Sequence, residues 1–278
     1  MLLAMIQDKI IEPRLLSHSH TDRGIFFGDG VYEVVRSYDG KLFALDLHLA
    51  RFERSLKAID INNVDIDDIR SRIELAFAKA QRDNCSIYFH ITRGSGIRNH
   101  NWKEPIDWNF FLFVSDITGY EKLKEHGAKL CYYPDTRWKR CDIKSLNLLP
   151  NVLAKHYAEE KGCFDALLLD SRGDITECAS SAFAAIYGND ILTRPLGNNI
   201  LPSITRIFLS RAAVIAGLNV VEKILSPFDL QKADELFIAV TTKDIVGVVE
   251  LEGKAISGGK TGKLTRRLQD AFMQLVKE

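Results

Sequence analysis

The sequence is poor in the features that identify metal-binding and disulfide-stabilised proteins. Its 278 residues include only five cysteines, at the scattered positions Cys85, Cys131, Cys141, Cys163 and Cys178. Their number is odd and none forms a Cys-x-x-Cys pair, which argues against both a zinc ribbon and a disulfide framework. We therefore predict no metal, and small buried thiols in a reducing compartment.

An excess of charge of either sign is also absent. Lys and Arg together number 37, as do Asp and Glu, so the formal net charge is zero. Without a broad basic field, the chain is expected to bind neither nucleic acid nor an anionic membrane. Any anion must therefore be bound by a local site.

Long apolar runs are absent as well. No stretch approaches the roughly 18 apolar residues that are needed to span a bilayer. The apolar start of the chain, residues 1–6, is short and lacks a basic segment, so it does not fit a secretory signal peptide. We expect a soluble, cytoplasmic protein.

The chain does contain enough apolar material for a sizeable core, since 46% of its residues are hydrophobic. Strands are predicted at residues 31–36, 41–45, 86–92, 110–114, 129–133, 166–170, 182–187, 191–193 and 235–241, with a hairpin-like segment at 246–256. Helices are predicted at residues 48–59, 67–81, 152–161, 203–216 and 263–276. This mixture is typical of an α+β fold with two domains. A composition change near Gly119 predicts an interdomain linker at residues 119–126, between domains of residues 1–118 and 127–278.

One lysine lies in an unusual setting. Lys144 stands in the run Cys141-Asp-Ile-Lys-Ser-Leu-Asn147, a mixed apolar and polar segment that precedes a predicted helix. Spacing alone favours a surface lysine beside a turn, because lysine is seldom buried unless it is paired. A lysine whose charge is suppressed by its neighbours is, by contrast, a nucleophilic amine that can form a Schiff base.

Several polar residues could bind an anion or a charged ring, although each has an ordinary explanation. Glu177 stands between two predicted strands and is either a turn carboxylate or the partner of a ring nitrogen in a cleft. The helix start that contains Thr205 offers backbone N–H groups and a hydroxyl, although most such helix starts bind nothing. Thr241 follows a late strand. Arg51, in the first turn of its predicted helix, is most simply explained as a solvated side chain.

The loop of residues 93–102 is rich in glycine and polar residues, a composition that suits a binding loop. It contains Arg98 and His100, which are either incidental loop residues or a clamp for a carboxylate, with the arginine as a bidentate donor.

The order of these residues resembles that of the class IV, or fold type IV, enzymes that use pyridoxal phosphate. The resemblance covers nearly the whole chain. The motifs that carry it are Asp22-Arg-Gly24, Phe27-Gly-Asp-Gly-Val-Tyr-Glu-Val34, His48-x-x-Arg51, Arg98-x-His100, Cys141-Asp-Ile-Lys-Ser-Leu-Asn147, Thr176-Glu177, Ile204-Thr-Arg206 and Asp234-Glu-Leu-Phe237. Within that group the chain is most similar to the D-amino-acid aminotransferases, and the specific part is the block around Lys144 together with Arg98-x-His100.

The resemblance implies a role for each of these residues. Lys144 would hold pyridoxal phosphate as a Schiff base and then move a proton as general base and acid. Glu177 would accept a hydrogen bond from the protonated ring nitrogen and preserve the electron sink. The implied phosphate ligands are Arg51, Ile204, Thr205 and Thr241, while Leu201 would lie behind the ring and Ser180 near the cofactor. The implied ligands of the substrate carboxylate are Tyr32, Arg98 and His100.

The reaction that the resemblance implies is a ping-pong transamination. D-Alanine and 2-oxoglutarate would give pyruvate and D-glutamate, which supplies D-amino acids for a bacterial cell wall. In this family the active site forms between two protomers, so a homodimer is implied.

Three departures from the family pattern leave Lys144 and Glu177 untouched, so they bear less on the use of the cofactor than on the choice of substrate. Ala182 stands where asparagine is usual, and Val240 stands where serine is common in the D-enzymes, so a supporting hydrogen bond and a phosphate donor are expected to be missing. The loop start Arg93-Gly-Ser-Gly96 is also similar to that of aminodeoxychorismate lyase.

Three alternatives stay open at this point. The lyase would eliminate pyruvate with the same cofactor, although it tends to have histidine where Ser145 follows the lysine. A branched-chain L-amino-acid aminotransferase usually has Gly-Gly-Asn-Tyr-like residues after its lysine, unlike this chain. A catalytically silent protein that binds a carboxylate or a phosphate does not need both Lys144 and Glu177, and both are present.

Overall fold

The computed structural model describes residues 3–102 and 107–277 and has an α+β architecture built on two large sheets. The helices are α1 Arg23–Phe27, α2 Leu45–Ala58, α3 Ile66–Ala80, α4 Tyr120–His126, α5 Leu149–Glu160, α6 Ile204–Ile215, α7 Pro227–Leu230 and α8 Lys263–Lys277. The strands are β1 Ala4–Ile6, β2 Lys9–Ile11, β3 Gly30–Tyr38, β4 Lys41–Leu42, β5 Cys85–Thr92, β6 Asn109–Asp116, β7 Ala128–Pro134, β8 Asp165–Leu169, β9 Ile175–Cys178, β10 Ala182–Tyr187, β11 Asp190–Thr193, β12 Asn219–Glu222, β13 Glu235–Val240, β14 Asp244–Leu251 and β15 Lys254–Ala255.

The smaller of the two sheets has the strand order β4–β3–β5–β6, and all its pairs are antiparallel. Successive side chains of a strand point to opposite faces, so every second residue faces the same layer. One face is apolar and buried, and its Val35, Ile87 and Phe89 belong to one core with Phe52 of α2 and Ile69 of α3. Tyr32 of β3 lies on the other face.

The larger sheet has the order β12–β11–β10–β13–β14–β7–β8–β9, with β15 added beside β14. Three of its pairs are parallel, namely β11–β12, β14–β7 and β7–β8. Its central strands are apolar along most of their length, which is typical of strands that are covered on both faces. The helices α6 and α8 pack on one face around Phe237 and Phe272, while Leu236 and Ile238 belong to a core on the other face.

Elements with a strong apolar period lie where the sequence predicts them, within a few residues. The predicted hairpin is β3–β4, and the helix predicted at residues 203–216 is α6, which begins after its cap Ser203. The sequence pattern does not predict α1, α4, α7, β1, β2, β9 or β12. Each of these is seven residues long or shorter, so none carries enough repeats of an apolar period to be recognised.

The predicted linker at residues 119–126 coincides with α4, whose Leu123 packs against a core of the larger sheet. The domain boundaries themselves stay a prediction. In residues 3–102 and 107–277, no helix combines the length and the apolar content that a membrane crossing requires. The five cysteines are free thiols, and four of them are buried.

Candidate active site

A cavity of about 460 Å³ lies between the two sheets and is lined by residues of both. Seven residues that the sequence singles out line it, namely Tyr32, Arg51, Lys144, Glu177, Ser180, Leu201 and Thr241. The structure therefore brings together residues that lie more than 200 positions apart in the chain. Four other predicted site residues, Arg98, His100, Ile204 and Thr205, are not among the residues that line it.

Lys144 is held at the cavity by its backbone, which pairs with β3. Its carbonyl accepts a hydrogen bond from the Tyr32 N–H at 2.9 Å, and its own N–H donates to Ser55 Oγ at 3.3 Å. A glycine is needed at position 30, because a Cβ atom there would lie 2.5 Å from the Ile91 carbonyl oxygen of β5 and 2.8 Å from Cδ1 of Leu146, close to Lys144 in the chain. The Lys144 amine lies 4.2 Å from the centroid of the Tyr32 ring. Lys144 is thus a half-buried cavity residue and not the surface lysine that spacing alone favours.

Glu177 lies on β9, not in a turn between two strands, and its side chain is buried. Its Oε1 accepts hydrogen bonds from the Leu201 N–H, at 3.1 Å, and from Nη1 of Arg137. Burial raises the pKa of Glu177, and the Arg137 guanidinium opposes this shift. Within the described residues both of these hydrogen bonds end on Oε1, which leaves Oε2 able to accept from a ligand in the cavity.

Arg137 is a site residue that the sequence reasoning misses. Its Nε and Nη2 donate to the Asp135 carboxylate at 2.9 and 2.8 Å, and Nη2 also donates to the Asn199 carbonyl at 3.0 Å. These bonds fix the planar guanidinium, so that Nη1 can reach Glu177. The Asp-x-Arg spacing at the end of a predicted strand is the signal that could have indicated a buried ion pair.

A second group of residues can bind an anion in the cavity. The chain enters α6 at Ser203, so the N–H groups of Ile204 and Thr205 lie in the first turn and have no acceptor inside the helix. Ser203, Thr241 and Thr242 line the cavity and offer hydroxyl groups. The side chains of Ile204 and Thr205 are buried, so these two residues offer backbone N–H groups. We call these five residues, with Arg51, the anion cradle.

Arg51 lies in the second turn of α2, not in its first, because the helix begins at Leu45. It is also buried, with an exposed fraction of 3%, and is not the solvated arginine that its spacing suggests. Its Nη1 donates to the Pro202 carbonyl at 2.9 Å, immediately before α6. Its Nε and Nη2 donate to the Glu33 carboxylate at 2.6 and 2.8 Å.

Glu33 is fully buried and is another residue that the sequence reasoning misses. Burial alone would raise its pKa, but Arg51 and His48 reverse this effect and hold the pKa of Glu33 well below its ordinary value. Burial lowers the pKa of His48, against the opposing effect of Glu33. The imidazole is therefore neutral near pH 7 and donates from Nδ1 to Glu33 Oε2 over 2.8 Å. Glu33 thus stays ionised and orients the guanidinium of Arg51.

Ser180 and Ser181 line the cavity and share one buried acceptor. Their Oγ atoms donate to Oδ2 of Asp165 at 2.8 and 2.9 Å, and Asp165 has no exposed surface. Because Asp165 accepts both hydroxyl protons, the two serines present oxygen lone pairs to the cavity. They are therefore acceptors for a donor group of a ligand.

Arg98 and His100 lie on the loop between β5 and β6, and both are exposed. The Arg98 guanidinium carbon lies 5.1 Å from the centroid of the Phe27 ring, and the centroid of the His100 ring lies 5.2 Å from it. A single chain thus places these two residues beside Phe27 and not on the wall of the cavity that holds Lys144.

The donor set of the cavity fits pyridoxal phosphate. Lys144 supplies an amine for an aldehyde, Glu177 supplies an acceptor for a protonated ring nitrogen, and the anion cradle supplies a cation, hydroxyls and N–H groups for a phosphate. Among the described residues, no group of three or more His, Cys, Asp or Glu side chains could hold a metal ion.

Known proteins are similar to this chain over almost its whole length. The family described as "Amino-transferase class IV" matches residues 30–251. The D-alanine aminotransferase of Bacillus licheniformis is 37% identical over 256 residues, which cover 92% of this chain and 90% of that protein. The D-alanine aminotransferase of Staphylococcus aureus (strain N315) is 34% identical over 274 residues, which cover 98% of this chain and 96% of the relative.

Solved structures share the fold. The branched-chain amino acid aminotransferase of Escherichia coli superposes with a TM-score of 0.87 at 23% identity, over 96% of this chain and 92% of that one. The PLP-bound form of a hypothetical aminotransferase from Mycobacterium tuberculosis superposes with a TM-score of 0.81 at 18% identity, over 96% of this chain and 97% of that one. At these identities the structures establish the architecture alone.

Proposed function

The chain belongs to the class IV aminotransferases, and from that premise we propose that it transfers amino groups between D-amino acids and 2-oxo acids. D-Alanine and 2-oxoglutarate give pyruvate and D-glutamate, in a ping-pong sequence. The observation that carries this proposal is that Lys144 and Glu177 line one cavity with Arg51, Ser203, Thr241 and Thr242 of the anion cradle. The D-configuration of the substrate is supported by the activity for which the bacterial relatives are named.

Pyridoxal phosphate is the cofactor of this reaction. When bound, it withdraws electrons from the substrate Cα, so that a proton there becomes removable. Lys144 would hold the cofactor through its side-chain amine, and the free amine would accept the Cα proton of the substrate and return it. Glu177, held beside the Arg137 guanidinium, would accept a hydrogen bond from the ring nitrogen and favour its protonated form.

The other residues that we propose as cofactor ligands are those at the cavity and at the start of α6. Arg51, Ser203, Thr241 and the N–H groups of Ile204 and Thr205 bind the phosphate through charge and hydrogen bonds. Leu201, whose N–H fixes Glu177, backs the ring. Ser180 lies near the cofactor and accepts a hydrogen bond from a donor group.

The substrate carboxylate is bound by Tyr32, Arg98 and His100 in this proposal. Tyr32 lines the cavity, while Arg98 and His100 are exposed on their loop and lie outside the cavity wall of their own chain. A site that contains all three residues therefore needs a second copy of the chain, whose loop supplies the arginine and the histidine. We infer a homodimer on this ground.

An aromatic surface on the smaller sheet suits the interface of such a dimer. The Tyr32 and Tyr88 rings stack with centroids 5.6 Å apart, and the Tyr88 and Phe113 rings stack with centroids 5.0 Å apart. Phe111 and Phe113 of β6 are 52% and 45% exposed, although large apolar side chains on a monomer surface are usually isolated. This surface begins at the cavity, where Tyr32 lies, so a copy that covers it also reaches the site.

We expect the double variant Phe111→Lys, Phe113→Lys to be a monomer and to lose most of its activity, because buried ammonium groups are costly at an interface. Size-exclusion chromatography with light scattering measures the mass, and the variant Phe228→Lys is the control. Phe228 is 65% exposed on α7, and its replacement should leave a dimer. A wild-type chain that is fully active as a monomer would contradict the proposal.

The function itself is tested with a panel of amino donors and 2-oxoglutarate. We expect pyruvate and D-glutamate from D-alanine, and no reaction of L-alanine. Equal rates with both enantiomers would overturn the D-configuration. Release of pyruvate from aminodeoxychorismate, without amino transfer, would identify the lyase instead.

We also propose a domain boundary at residues 119–126, where the chain passes from the smaller sheet to the larger one. The C-terminal domain would then carry Lys144.

A cytoplasmic location is proposed because the five cysteines are free, as is usual in a reducing compartment.

A further inference from the structure

We propose that Arg23 is the positioning residue of the loop that binds the substrate carboxylate. This loop, residues 94–102, is called the carboxylate loop. The guanidinium of Arg23 sets the course of its backbone, and thereby the positions of Arg98 and His100. The inference rests on the proposed function, since it takes these two side chains as ligands of the substrate.

Arg23 bonds directly to the backbone that carries both ligands. Its Nη1 donates to the Asn99 carbonyl at 2.6 Å, and its Nη2 donates to the His100 carbonyl at 3.2 Å. These are consecutive carbonyls, and the first belongs to the residue between Arg98 and His100. A planar guanidinium that bonds to two neighbouring acceptors fixes both their distance and their orientation.

Arg23 is itself held rigidly. Its side chain is 7% exposed, and its Nε donates to Asp29 at 2.8 Å. Its backbone N–H donates to the Gly94 carbonyl at 2.9 Å, and the Gly96 N–H donates to the Thr21 carbonyl at 3.0 Å. Residues 21–23 therefore hold the start of the carboxylate loop by backbone bonds, and the Arg23 side chain holds the loop again at residues 99 and 100.

The same short helix also orients the two ligand side chains. Phe27, at the end of α1, has the guanidinium carbon of Arg23 4.9 Å from its ring centroid and that of Arg98 5.1 Å from it. The His100 ring lies 5.2 Å away. One ring thus contacts the positioning residue and both ligands, so α1 and the carboxylate loop form one unit.

Arg93 provides a matched control inside the same cluster. Its Nε donates to the same carboxylate, that of Asp29, at 2.9 Å, and it is equally buried, with 5% exposure. Its Nη1, however, donates to the Asp60 carbonyl at 3.1 Å, and its guanidinium carbon meets the carboxylate loop at the Trp102 ring, 3.8 Å from the centroid, and not at the carbonyls of residues 99 and 100. Arg23 and Arg93 therefore share an environment and differ in the backbone that they hold.

The test compares the holoenzyme variants Arg23→Lys and Arg93→Lys. A lysine keeps the charge but cannot bond to two carbonyls and a carboxylate in fixed geometry. We expect Arg23→Lys to lower kcat/KM for D-alanine by about 10- to 100-fold, mainly through KM. Arg93→Lys should change it by less than about threefold, although both variants lose similar thermal stability. Affinity for pyridoxal phosphate should stay within about twofold of wild type in both.

A substrate without a carboxylate separates positioning from a general loss of structure. D-Alaninol presents the same amine but has a hydroxymethyl group in place of the carboxylate, so the loop has no anion to bind. Its rate of reaction with the holoenzyme should therefore be nearly the same in Arg23→Lys and wild type. An equal loss with D-alanine and D-alaninol, or equal losses in the two arginine variants, would overturn the inference. A wild-type protein that does not transaminate D-alanine would overturn the proposed function together with it.

A second variant keeps the inference testable if Arg23→Lys does not fold. Phe27→Leu retains an apolar side chain and the guanidinium bonds of Arg23 but removes the ring that contacts Arg98 and His100. Loss of a cation–π contact should raise the KM for D-alanine by about two- to fivefold and leave the reaction of D-alaninol unchanged. An unchanged KM in Phe27→Leu would contradict the role that we assign to α1.

Discussion

Replacing Lys144 with alanine is expected to lower the rate of transamination by at least about 10³-fold, because the variant loses both the covalent link and the group that moves the proton. The cofactor should still bind without a covalent bond, since the anion cradle and Glu177 are intact. The rate is measured as pyruvate formed from D-alanine and 2-oxoglutarate, and bound cofactor is measured after dialysis.

Lys155→Ala is the matched control for this experiment. Lys155 also lines the cavity, but its ammonium lies against the Phe164 carbonyl and 3.9 Å from Asp165. We expect it to keep activity within about tenfold of wild type, since no proton transfer is assigned to it. Activity of Lys144→Ala within tenfold of wild type would contradict the assignment of the proton transfer to Lys144.

Glu177→Gln is the second substitution with a large expected effect. A neutral amide cannot hold a ring nitrogen in its protonated form, so we expect kcat to fall by about 10²- to 10³-fold. The loss of thermal stability should be small, because Arg137 keeps its two hydrogen bonds to Asp135 and its hydrogen bond to the Asn199 carbonyl. Thermal unfolding measured beside kcat distinguishes the two effects.

The conservative variant Glu177→Asp completes this test. It retains the negative charge, although on a shorter side chain, and should therefore recover part of the lost rate. If Glu177→Gln and Glu177→Asp were equally impaired, length and not charge would be decisive, and the assigned role of Glu177 would be wrong. Unchanged kcat in Glu177→Gln would contradict it as well.

The sequence predicts those parts of the fold and the site that depend on local pattern. The helix that contains Arg51 follows from an apolar period of 3.6 residues, and the strand that contains Tyr32 follows from β-forming residues beside an Asp-Gly turn. The turn of the chain into α6 follows from Pro202 and Ser203. For Lys144 and Glu177 the local pattern is not sufficient, since spacing favours a surface lysine and a turn carboxylate. The family resemblance is what indicates the importance of these two residues, and the match to the class IV aminotransferases agrees with it.

The residues that the sequence does not reveal act through long-range pairs. Arg137 reaches Glu177 from 40 positions away, and Arg23 reaches the carbonyls of residues 99 and 100 from more than 70 positions away. A buried charge leaves no periodic signature, because its partner is chosen by the folded chain and not by the adjacent sequence. Glu33 is another buried charge that the sequence pattern does not reveal. It looks like one more residue of a β-strand, yet it holds Arg51 and His48 in the core.

The central claim is that the amine of Lys144 holds the cofactor, and mass spectrometry tests it most directly. The protein is incubated with pyridoxal phosphate, reduced with borohydride and digested. We predict a covalent adduct on the peptide that contains Lys144 and none on the peptide that contains Lys155. An adduct on another lysine, or no adduct at all, would contradict the account.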